Sequence, residues 1–355
     1  MRTLTLQLIP GDGIGIEVMA EARRLLDRLA DRHGGLAFRY IEQPWSCAWY
    51  LEHGAMMPAD GLDILRDGDA VLLGAVGYPG VPDHVSLRGL LLPIRMGFEQ
   101  FVNLRPVKLL PGLVSPLRDA TPESIDFVVL RENTEGEYCG AGRLENSGTP
   151  EETAVQEARF TTRGTERIIR HAFDYAQSHG KTRLLSATKS NALNHSMVFW
   201  DRIFAGVAKD FPDIQAGVMH VDALAGKFLL APRDLEVVVA SNLFGDILTD
   251  LGSAMLGSIG ISPSANLDPT GSHPSMFEPV HGSAPDIAGL GKANPTGMVW
   301  TVALMLGHLG LPELEEALMQ SLSGVLAAGE KVTPDLGGTN TTREMTDAIL
   351  AGLGD

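Results

Sequence analysis

The chain has 355 residues, with 28 basic and 44 acidic side chains and a formal net charge of −16. Its length suffices for two domains or one large α/β unit, and its acidity argues against nucleic acid or an anionic membrane as a partner. The two cysteines, Cys47 and Cys139, have neither disulfide-framework nor zinc-site spacing. We find no signal peptide and no apolar run of about eighteen residues, so we expect a soluble protein of the reducing cytoplasm.

The first predicted strand, residues 4–9, leads into a glycine-rich loop and a helix expected to end near residue 29. The glycines fall at 11, 13 and 15, so the spacing is GxGxG and not the GxGxxG of a Rossmann dinucleotide site. No acidic residue ends a second strand where that fold needs one. We therefore expect no Rossmann fold, but we do expect a loop whose glycines let a ligand approach the backbone.

Further strands are predicted at residues 37–42, 68–77, 126–130, 182–187, 218–222 and 235–240, and helices at 164–178, 296–309 and 311–328. Strands that alternate with helices predict a parallel sheet with helices on its faces. The polar segment 140–160 is predicted to form an arm or a flap. The glycine- and proline-rich segments 257–266 and 276–286 are predicted to be loops, suited either to wrapping a flat cofactor or to a structural role.

Three arginines, Arg95, Arg105 and Arg131, fall at predicted strand or helix ends. A planar guanidinium binds a carboxylate through two hydrogen bonds, so this group suggests a clamp for an anionic substrate. Three separate surface salt bridges are the alternative. Lys189 follows a predicted buried strand and is a candidate acid or base if its surroundings lower its pKa, although a loop lysine is often only solvated.

Two aspartates, Asp246 and Asp250, are four residues apart in the segment after the strand at 235–240. If that segment is a helix capped by Ser241 or Asn242, both carboxylates lie on one face, one turn apart. Oxygen ligands so placed suit Mg²⁺ or Mn²⁺, and Asp222, at the predicted end of another strand, is a candidate third ligand. Solvated surface charges are the alternative.

Five motifs follow one another along nearly the whole chain. They are Ile9-Pro-Gly-Asp-Gly-Ile-Gly, Asn103-Leu-Arg-Pro, Arg131-Glu-Asn-Thr-Glu-Gly, Asn242-Leu-Phe-Gly-Asp-Ile-Leu-Thr-Asp and Glu278-Pro-Val-His-Gly-Ser-Ala-Pro-Asp. Together they resemble the β-decarboxylating dehydrogenase family of isocitrate, isopropylmalate, homoisocitrate and tartrate/D-malate dehydrogenases. The segments that begin at Pro44, His53, Val81 and His273 look most like the tartrate/D-malate group of that family.

The resemblance implies an α/β fold of two domains that is not a Rossmann fold. Residues 1–100 and 253–355 would form the larger, cofactor-binding domain, and residues 101–252 the smaller one, with the dimer interface and the metal and substrate residues. It also implies a homodimer, in some members paired into a tetramer, in which Lys189 and Asp222 reach the partner subunit's active site. The sequence does not decide whether the protein is a dimer or a tetramer, or whether it requires K⁺.

The same resemblance implies oxidation and β-decarboxylation of a (2R)-malate-type 2-hydroxy dicarboxylate, most closely D-malate to pyruvate and CO₂, with activity on tartrates. By position, Arg95, Arg105 and Arg131 correspond to the family's carboxylate-binding residues. The family's ligands for Mg²⁺ or Mn²⁺ correspond to Asp222, Asp246 and Asp250.

The resemblance also assigns two proton-transfer roles. Lys189 would act as, or relay to, the base at the C2 hydroxyl while hydride passes to the nicotinamide. Tyr138 would protonate the enolate that remains after CO₂ departs.

Asp286 and Ile287 stand where family members that use NADP carry a basic residue and a tyrosine. A carboxylate there would accept hydrogen bonds from ribose hydroxyls and repel a 2′-phosphate, so NAD is the predicted cofactor. The other predicted cofactor-binding residues are Ile14, Gly74, Ala75, Val76, Glu278, His281, Gly282, Ser283, Ala284 and Asn294, with Gly77 ending the 74–77 turn.

Leu91 and Leu92, shortly before Arg95, are predicted to line the substrate site. They offer no partner for the γ-carboxylate of isocitrate, which disfavours that substrate. They would accept an isopropyl group, so 3-isopropylmalate dehydrogenase is the alternative. At residue 88 the tartrate/D-malate group usually has a bulky apolar side chain, whereas this chain has an arginine. Arg88 is either a surface charge or a residue that favours a more polar substrate. A non-catalytic regulatory subunit is disfavoured, because every acid, base and clamp position is intact.

Overall fold

The structure is a computed structural model that describes residues 1–354; residue 355, the last of the predicted larger domain, lies outside the described residues. In the described part of the chain, ten strands form one mixed sheet and two form a separate ribbon. The strands are β1 (Arg2–Gly11), β2 (Leu36–Glu42), β3 (Ala70–Ala75), β4 (Val102–Lys108), β5 (Asp126–Glu132), β6 (Gly142–Glu145), β7 (Thr153–Gln156), β8 (Arg183–Thr188), β9 (Gln215–His220), β10 (Val237–Ala240), β11 (Pro263–Leu267) and β12 (Ser275–Pro279).

The helices pack against the sheet's strands and against one another and supply the rest of the core. They are α1 (Ile14–His33), α2 (Cys47–His53), α3 (Gly61–Arg66), α4 (Asp83–Ser86), α5 (Leu92–Gly97), α6 (Thr162–Ser178), α7 (Ser196–Val207), α8 (Val221–Leu230), α9 (Asn242–Met255), α10 (Thr296–His308), α11 (Pro312–Ala328) and α12 (Thr342–Gly352). Leu87–Leu91, between α4 and α5, forms a π-helical turn. Among the described residues, none of these helices combines the length and apolar character that crossing a membrane requires.

The order of strands in the large sheet is β2-β1-β3-β12-β11-β4-β5-β10-β8-β9. Strands from residues 1–100 and 253–355 therefore fill one half of the sheet, and strands from residues 101–252 fill the other. Strands β4 and β11 run antiparallel to their neighbours, so the prediction of a parallel sheet is wrong there. Strand β11 reverses direction relative to β12 because a short turn joins them, in which the Asp268 carboxylate accepts the N–H groups of Thr270 and His273, each at 3.0 Å.

The structure also differs from the predicted elements elsewhere, and three of these differences are described here. Strand β9 ends at His220, whose backbone turns into α8, so Asp222 lies in the first turn of a helix and not in a strand. The segments predicted as loops at 257–266 and 276–286 contain most of β11 and most of β12. Helix α12 is absent from the prediction, although Thr341 and Glu344 form a capping box at its start.

The segment 140–160 holds the ribbon formed by β6 and β7, which pair antiparallel from Gly142 opposite Gln156 to Glu145 opposite Thr153. Leu144 in β6 is 62% exposed. The segment thus forms a projecting two-stranded arm. An arm was one of the two predicted forms, the other being a flap.

Candidate active site

Helix α9 presents one polar face to β4 and β5. On this face Asn242 Oδ1 accepts hydrogen bonds from Arg131 Nε at 3.0 Å and Nη2 at 2.6 Å, and Asp246 forms an ion pair with the same guanidinium. Gly245 lies between them, and a Cβ there would stand 2.6 Å from Arg131 Cβ. The sequence Asn-x-x-Gly-Asp therefore lets the helix pack directly on the arginine.

One turn further along α9, Thr249 and Asp250 face Arg105 of β4. Thr249 Oγ1 accepts a hydrogen bond from Arg105 Nη1 at 2.6 Å. The same nitrogen lies 3.7 Å from Asp246 and 3.9 Å from Asp250. The helical spacing predicted for the two aspartates thus places both beside one guanidinium.

Arg95, near the end of α5, completes a cluster of three buried arginines. Its Nη2 lies 2.6 Å from Glu278 Oε1 in β12, which also accepts from Asn266 Nδ2 at 2.8 Å. Burial alone would raise the pKa of Glu278, but the charge of Arg95 outweighs it and the pKa is lowered. Three arginines predicted from separate stretches of chain therefore meet at one place.

The pKa shifts of the clustered arginines show that their guanidiniums lie close enough to repel one another. Burial, and then the neighbouring charge of Arg105, lower the pKa of Arg131 to about 10. Burial also lowers the pKa of Arg105, with a smaller contribution from Arg95. Buried guanidiniums that repel one another are stabilised by anions, so the cluster has the charge and the fork geometry to bind a dicarboxylate.

Tyr138 lies over this cluster. Its hydroxyl donates to Asp246 Oδ2 at 2.8 Å, and its ring lies 5.6 Å from the Arg131 guanidinium carbon. Burial, followed by the charge of Asp246, raises the pKa of Tyr138 to about 12, so the phenol keeps its proton at neutral pH. A protonated phenol beside bound substrate can act as an acid.

The loop that carries Tyr138 is tied to the start of α9 by Glu137. Its carboxylate accepts from Ser241 Oγ at 2.8 Å and from the Leu243 N–H at 3.1 Å. The predicted cap is therefore corrected: Ser241 holds the N-cap position, but it is the carboxylate of Glu137 that caps the helix.

Asp246 and Asp250 form the proposed metal-binding pair. Burial would raise the pKa of Asp246, but Arg131 and Arg105 outweigh it and the pKa is lowered. Burial raises the pKa of Asp250, Arg105 opposes the rise, and Asp246 adds to it. Two carboxylates one helical turn apart, one of them destabilised as an anion, are a donor set that fits a hard divalent cation.

Lys189 and Asp222 lie elsewhere in the same chain. Lys189 Nζ is 2.9 Å from Asp222 Oδ2, and this ion pair lowers the pKa of Asp222. Within residues 1–354, no three acidic, histidine or cysteine side chains come together as a metal site, so Asp222 does not join Asp246 and Asp250 in a single chain.

The predicted cofactor loops converge on Asp12. Its carboxylate accepts from the N–H groups of Cys47 at 2.9 Å and Gly77 at 3.1 Å, and so joins the loop after β1 to α2 and to the loop after β3. Cβ atoms at Gly11 and Gly13 would stand 1.9 Å from Ala75 O and 2.0 Å from Ser283 O. These glycines are therefore required by neighbouring backbone, and the approach of a ligand to this loop stays a prediction.

The remaining predicted cofactor residues lie around these loops. The Ile14 N–H donates to Ser283 O at 2.8 Å, which joins the first loop to residues 281–284. His281 is buried, and its Nε2 has no hydrogen-bond partner within the described chain. Asn294 donates to Asp335 at 2.9 Å, whereas Asp286 is exposed. An unpaired, buried imidazole nitrogen is a candidate contact for a bound cofactor.

The predicted substrate wall precedes Arg95. Leu91 is half-buried at the end of the π-helical turn and Leu92 is buried at the start of α5, while Arg88 in the same turn is exposed. π-Helical turns occur frequently at functional sites.

Several side chains of the site were missed in the sequence analysis. Asp12, Glu137 and Thr249 each hold a predicted site residue or loop in place. Asp12 had a visible signal, since it is the charged residue inside a Gly-Asp-Gly loop. Glu137 and Thr249 had none, because their partners are distant in sequence.

The profile of the isocitrate/isopropylmalate dehydrogenase family matches residues 5–349. The chain belongs to the isocitrate/isopropylmalate dehydrogenase family, and it is an oxidoreductase. Members of this family generally use NAD and a divalent metal ion, and they are typically dimeric. The predicted family, fold class and enzyme class are thereby confirmed.

Relatives within the family are similar over nearly their whole length. A probable tartrate dehydrogenase/decarboxylase of Bacillus subtilis (strain 168) is 51% identical over 354 residues, covering 99% of each chain. A decarboxylating D-malate dehydrogenase of Escherichia coli (strain K12) is 50% identical, covering 98% of each chain. The crystal structure of isocitrate dehydrogenase from Methylococcus capsulatus superposes with a TM-score of 0.88 at 31% identity, covering 99% of this chain and 100% of that one. The predicted resemblance to the tartrate/D-malate group is confirmed.

Proposed function

We propose that this protein oxidises and β-decarboxylates a (2R)-malate-type 2-hydroxy dicarboxylate with NAD and Mg²⁺ or Mn²⁺, converting D-malate to pyruvate and CO₂ and acting also on tartrates. The observation that carries the proposal is the meeting of three buried arginines with Asp246, Asp250 and Tyr138. Relatives named as tartrate and D-malate dehydrogenases support the choice of substrate.

Different side chains of this site are proposed to bind the substrate and to transfer protons. The guanidiniums of Arg95, Arg105 and Arg131 bind and orient the two carboxylates, since each presents a planar fork of donors. A bound divalent cation supplies Lewis-acid polarisation of the substrate oxygens, and NAD accepts the hydride. Lys189 holds or relays the proton of the C2 hydroxyl. Tyr138 Oη delivers a proton to C3 after CO₂ has left.

The metal site and the base are proposed to be completed by a second subunit. Asp246 and Asp250 come from one chain, and Asp222 and Lys189 lie as a separate pair in that chain. A homodimer would bring the partner's pair into the site, and two such dimers could associate further. Exposed apolar side chains on two neighbouring helices, Leu230 of α8 at 88% and Ile247 of α9 at 58%, support an interface there.

NAD is the proposed dinucleotide. The exposed carboxylate of Asp286 suits the ribose hydroxyls and would repel a 2′-phosphate. The half-buried Ile287 beside it offers no positive charge to such a phosphate. We also propose that the chain divides into two domains after residues 100 and 252, which the order of strands in the sheet supports. A cytoplasmic location is a further proposal, supported by the two free cysteines.

The test is NADH formation with NAD and Mn²⁺ on D-malate, L-tartrate, meso-tartrate, 3-isopropylmalate and isocitrate in parallel. We expect D-malate or a tartrate to have the highest kcat/KM, with pyruvate and CO₂ formed from D-malate. The second candidate is 3-isopropylmalate dehydrogenase, favoured by the apolar pair Leu91 and Leu92. A higher kcat/KM for 3-isopropylmalate would establish it and overturn the first.

A further inference from the structure

Asn266 of β11 lies at the centre of a buried polar network that takes no direct part in the proposed reaction. Its side chain is fully buried. Its Oδ1 accepts hydrogen bonds from Asn103 Nδ2 at 3.0 Å and Asn133 Nδ2 at 2.9 Å. Its Nδ2 donates to Met276 O at 3.3 Å and to Glu278 Oε1 at 2.8 Å. Every donor and acceptor position of this amide is therefore filled.

The orientation of the Asn266 amide is fixed by Glu278. An ionised carboxylate only accepts hydrogen bonds, so Asn266 must turn its Nδ2 toward Glu278 and its Oδ1 toward the other two amides. Asn103 and Asn133 both present their Nδ2 groups to that oxygen, and their own Oδ1 atoms have no partner within residues 1–354. Rotating the Asn266 amide by half a turn would set donor against donor. Only one orientation satisfies the network.

The network joins the parts of the chain that build the site. Asn103 lies in β4 and Asn133 directly follows β5, whereas Asn266 and Glu278 lie in β11 and β12. Glu278 Oε1 also accepts from Arg95 Nη2 of α5, at 2.6 Å. Asn266 is thus the residue through which the strands of residues 101–252 are connected to the partner of a substrate-binding arginine.

Arg95 depends on Glu278 for its orientation. Among residues 1–354, Glu278 is the one hydrogen-bond partner of this guanidinium, and the buried Nε has none. Burial opposes the ionisation of Glu278, but the charge of Arg95, followed by the hydrogen bond from Asn266, outweighs burial and lowers the pKa. Without the amide, the carboxylate would have one hydrogen bond fewer and could rotate away from Arg95.

We propose that Asn266 is a positioning residue, which holds Glu278 and thereby fixes the guanidinium of Arg95 in the orientation that binds a substrate carboxylate. The inference rests on the proposed function. Because Asn266 is itself fully buried, it acts through Glu278 and not by touching the substrate. Its loss should therefore weaken binding of the dicarboxylate through Arg95.

The test uses whichever of the five substrates named above has the highest kcat/KM, and compares Asn266→Ala, Asn266→Asp and Ser321→Ala with the wild type. Ser321 is the matched control: its buried hydroxyl donates to Ile349 O at 2.5 Å and joins α11 to α12, which carry none of the proposed site residues. Asn266→Ala is expected to raise the KM for the dicarboxylate about tenfold or more without changing the KM for NAD, as the loss of one hydrogen bond to a charged group would. Ser321→Ala should lower the urea midpoint and leave both KM values unchanged.

Asn266→Asp separates positioning from a purely structural role. Aspartate keeps the acceptor for the two neighbouring amides, but it donates to Glu278 only when it is protonated. The charges that act most strongly on Glu278, those of Arg95 in α5 and Arg105 in β4, are present in every variant. We expect the KM of Asn266→Asp, divided by that of the wild type at the same pH, to fall about threefold or more from pH 8 to pH 6, because two adjacent carboxylates come to share a proton. The same ratio should not change with pH in Asn266→Ala.

Three results would overturn the inference alone. They are an unchanged KM for the dicarboxylate in Asn266→Ala, a rise confined to the KM for NAD, and a ratio for Asn266→Asp that does not change with pH. The second would assign the effect of Glu278 to the cofactor, and the third would leave Asn266 a role in stability only. If the wild type forms NADH with none of the five substrates, the proposed function fails and the inference fails with it.

Discussion

Tyr138 Oη donates to Asp246 Oδ2 at 2.8 Å, and Asp246 also pairs with Arg131. One carboxylate therefore joins the proposed proton donor, a substrate-binding arginine and the proposed metal site. The phenol is held on the loop 133–138 and the carboxylate on α9, and Glu137 ties these two elements together. Changes in any of these groups should be transmitted to the others.

Replacing Tyr138 with phenylalanine removes the proposed acid and leaves the ring in place. We expect kcat for pyruvate formation from D-malate to fall about 100-fold or more, the size typical of losing a general acid. NADH and pyruvate should be measured in the same reaction. Tyr175→Phe in α6 is the control and should retain full activity; a normal kcat in Tyr138→Phe would remove the tyrosine from the mechanism.

Replacing Asp250 with asparagine removes one charge from the proposed metal pair. We expect the affinity for Mn²⁺, measured by calorimetric titration, to fall about 10-fold or more, since the remaining amide is a weaker ligand for a hard cation. Asp63→Asn, at an exposed ion pair with Arg66 in α3, serves as the control. Unchanged Mn²⁺ binding in Asp250→Asn would show that the metal lies elsewhere.

Replacing Asp286 with alanine tests the cofactor assignment. Loss of a charged acceptor for the ribose hydroxyls should lower kcat/KM for NAD about 10-fold or more and should raise the relative use of NADP. Asp31→Ala, an exposed change in α1, should alter neither value. If NADP already supports an equal or better kcat/KM in the wild type, the assignment of NAD is wrong.

Replacing Ile247 with aspartate tests the proposed subunit interface. A charge placed on the exposed apolar stripe of α9 should dissociate the dimer and, because the partner's Lys189 and Asp222 would be lost, should abolish turnover. Light scattering after size-exclusion chromatography would give the mass. Val114→Asp changes a residue that is 84% exposed in the loop between β4 and β5 and should leave the mass unchanged. A dimeric, active Ile247→Asp protein would place the interface elsewhere.

Two glutamates should respond to pH in opposite ways. Burial raises the pKa of Glu315, so its charged form destabilises the fold at neutral pH, and the penalty fades as pH falls toward the unfolded value of about 4.3. We expect Glu315→Gln to raise the urea midpoint at pH 7.5, with the gain shrinking toward pH 4.5.

Glu236 is the counterpart. Burial opposes its ionisation, but the N–H groups of Thr182 and Arg183 and the Arg183 side chain outweigh burial and lower its pKa. Its stabilisation is complete above about 4.3 and is lost only as pH falls below that value. Glu236→Gln should therefore lower the urea midpoint equally at pH 7.5 and pH 5. Parallel pH dependence of the two variants would contradict both assignments.

Local spacing predicted the helical placement of Asp246 and Asp250 and the buried strands beside them, because both depend on the period of the side chains. The predicted end of the strand at Asp222 was wrong for a related reason. The alternation Val218-Met-His-Val continues past the end of β9, and only the backbone at His220, set by tertiary packing, starts the helix. Strands β11 and β12 were hidden by glycine and proline, whose presence usually marks loops.

Some features had signals that were overlooked, and others had none. The pair Thr341 and Glu344 is a capping box that predicts α12 from sequence. The ion pair between Arg95 and Glu278 joins residues 183 positions apart, and no local pattern indicates it. The meeting of Arg95, Arg105 and Arg131 likewise depends on the order of strands in the sheet.

The position of β12 has a consequence for synthesis of the chain. Strand β3 pairs with β12 from Ala70 opposite Ser275, so one edge of β3 stays open until the ribosome has made about three quarters of the 355 residues. An unpaired, fully apolar edge can pair with other chains, and pairings of such long sequence separation close slowly. The nascent N-terminal half should therefore depend on chaperones to avoid aggregation, and truncation before residue 275 should yield insoluble protein.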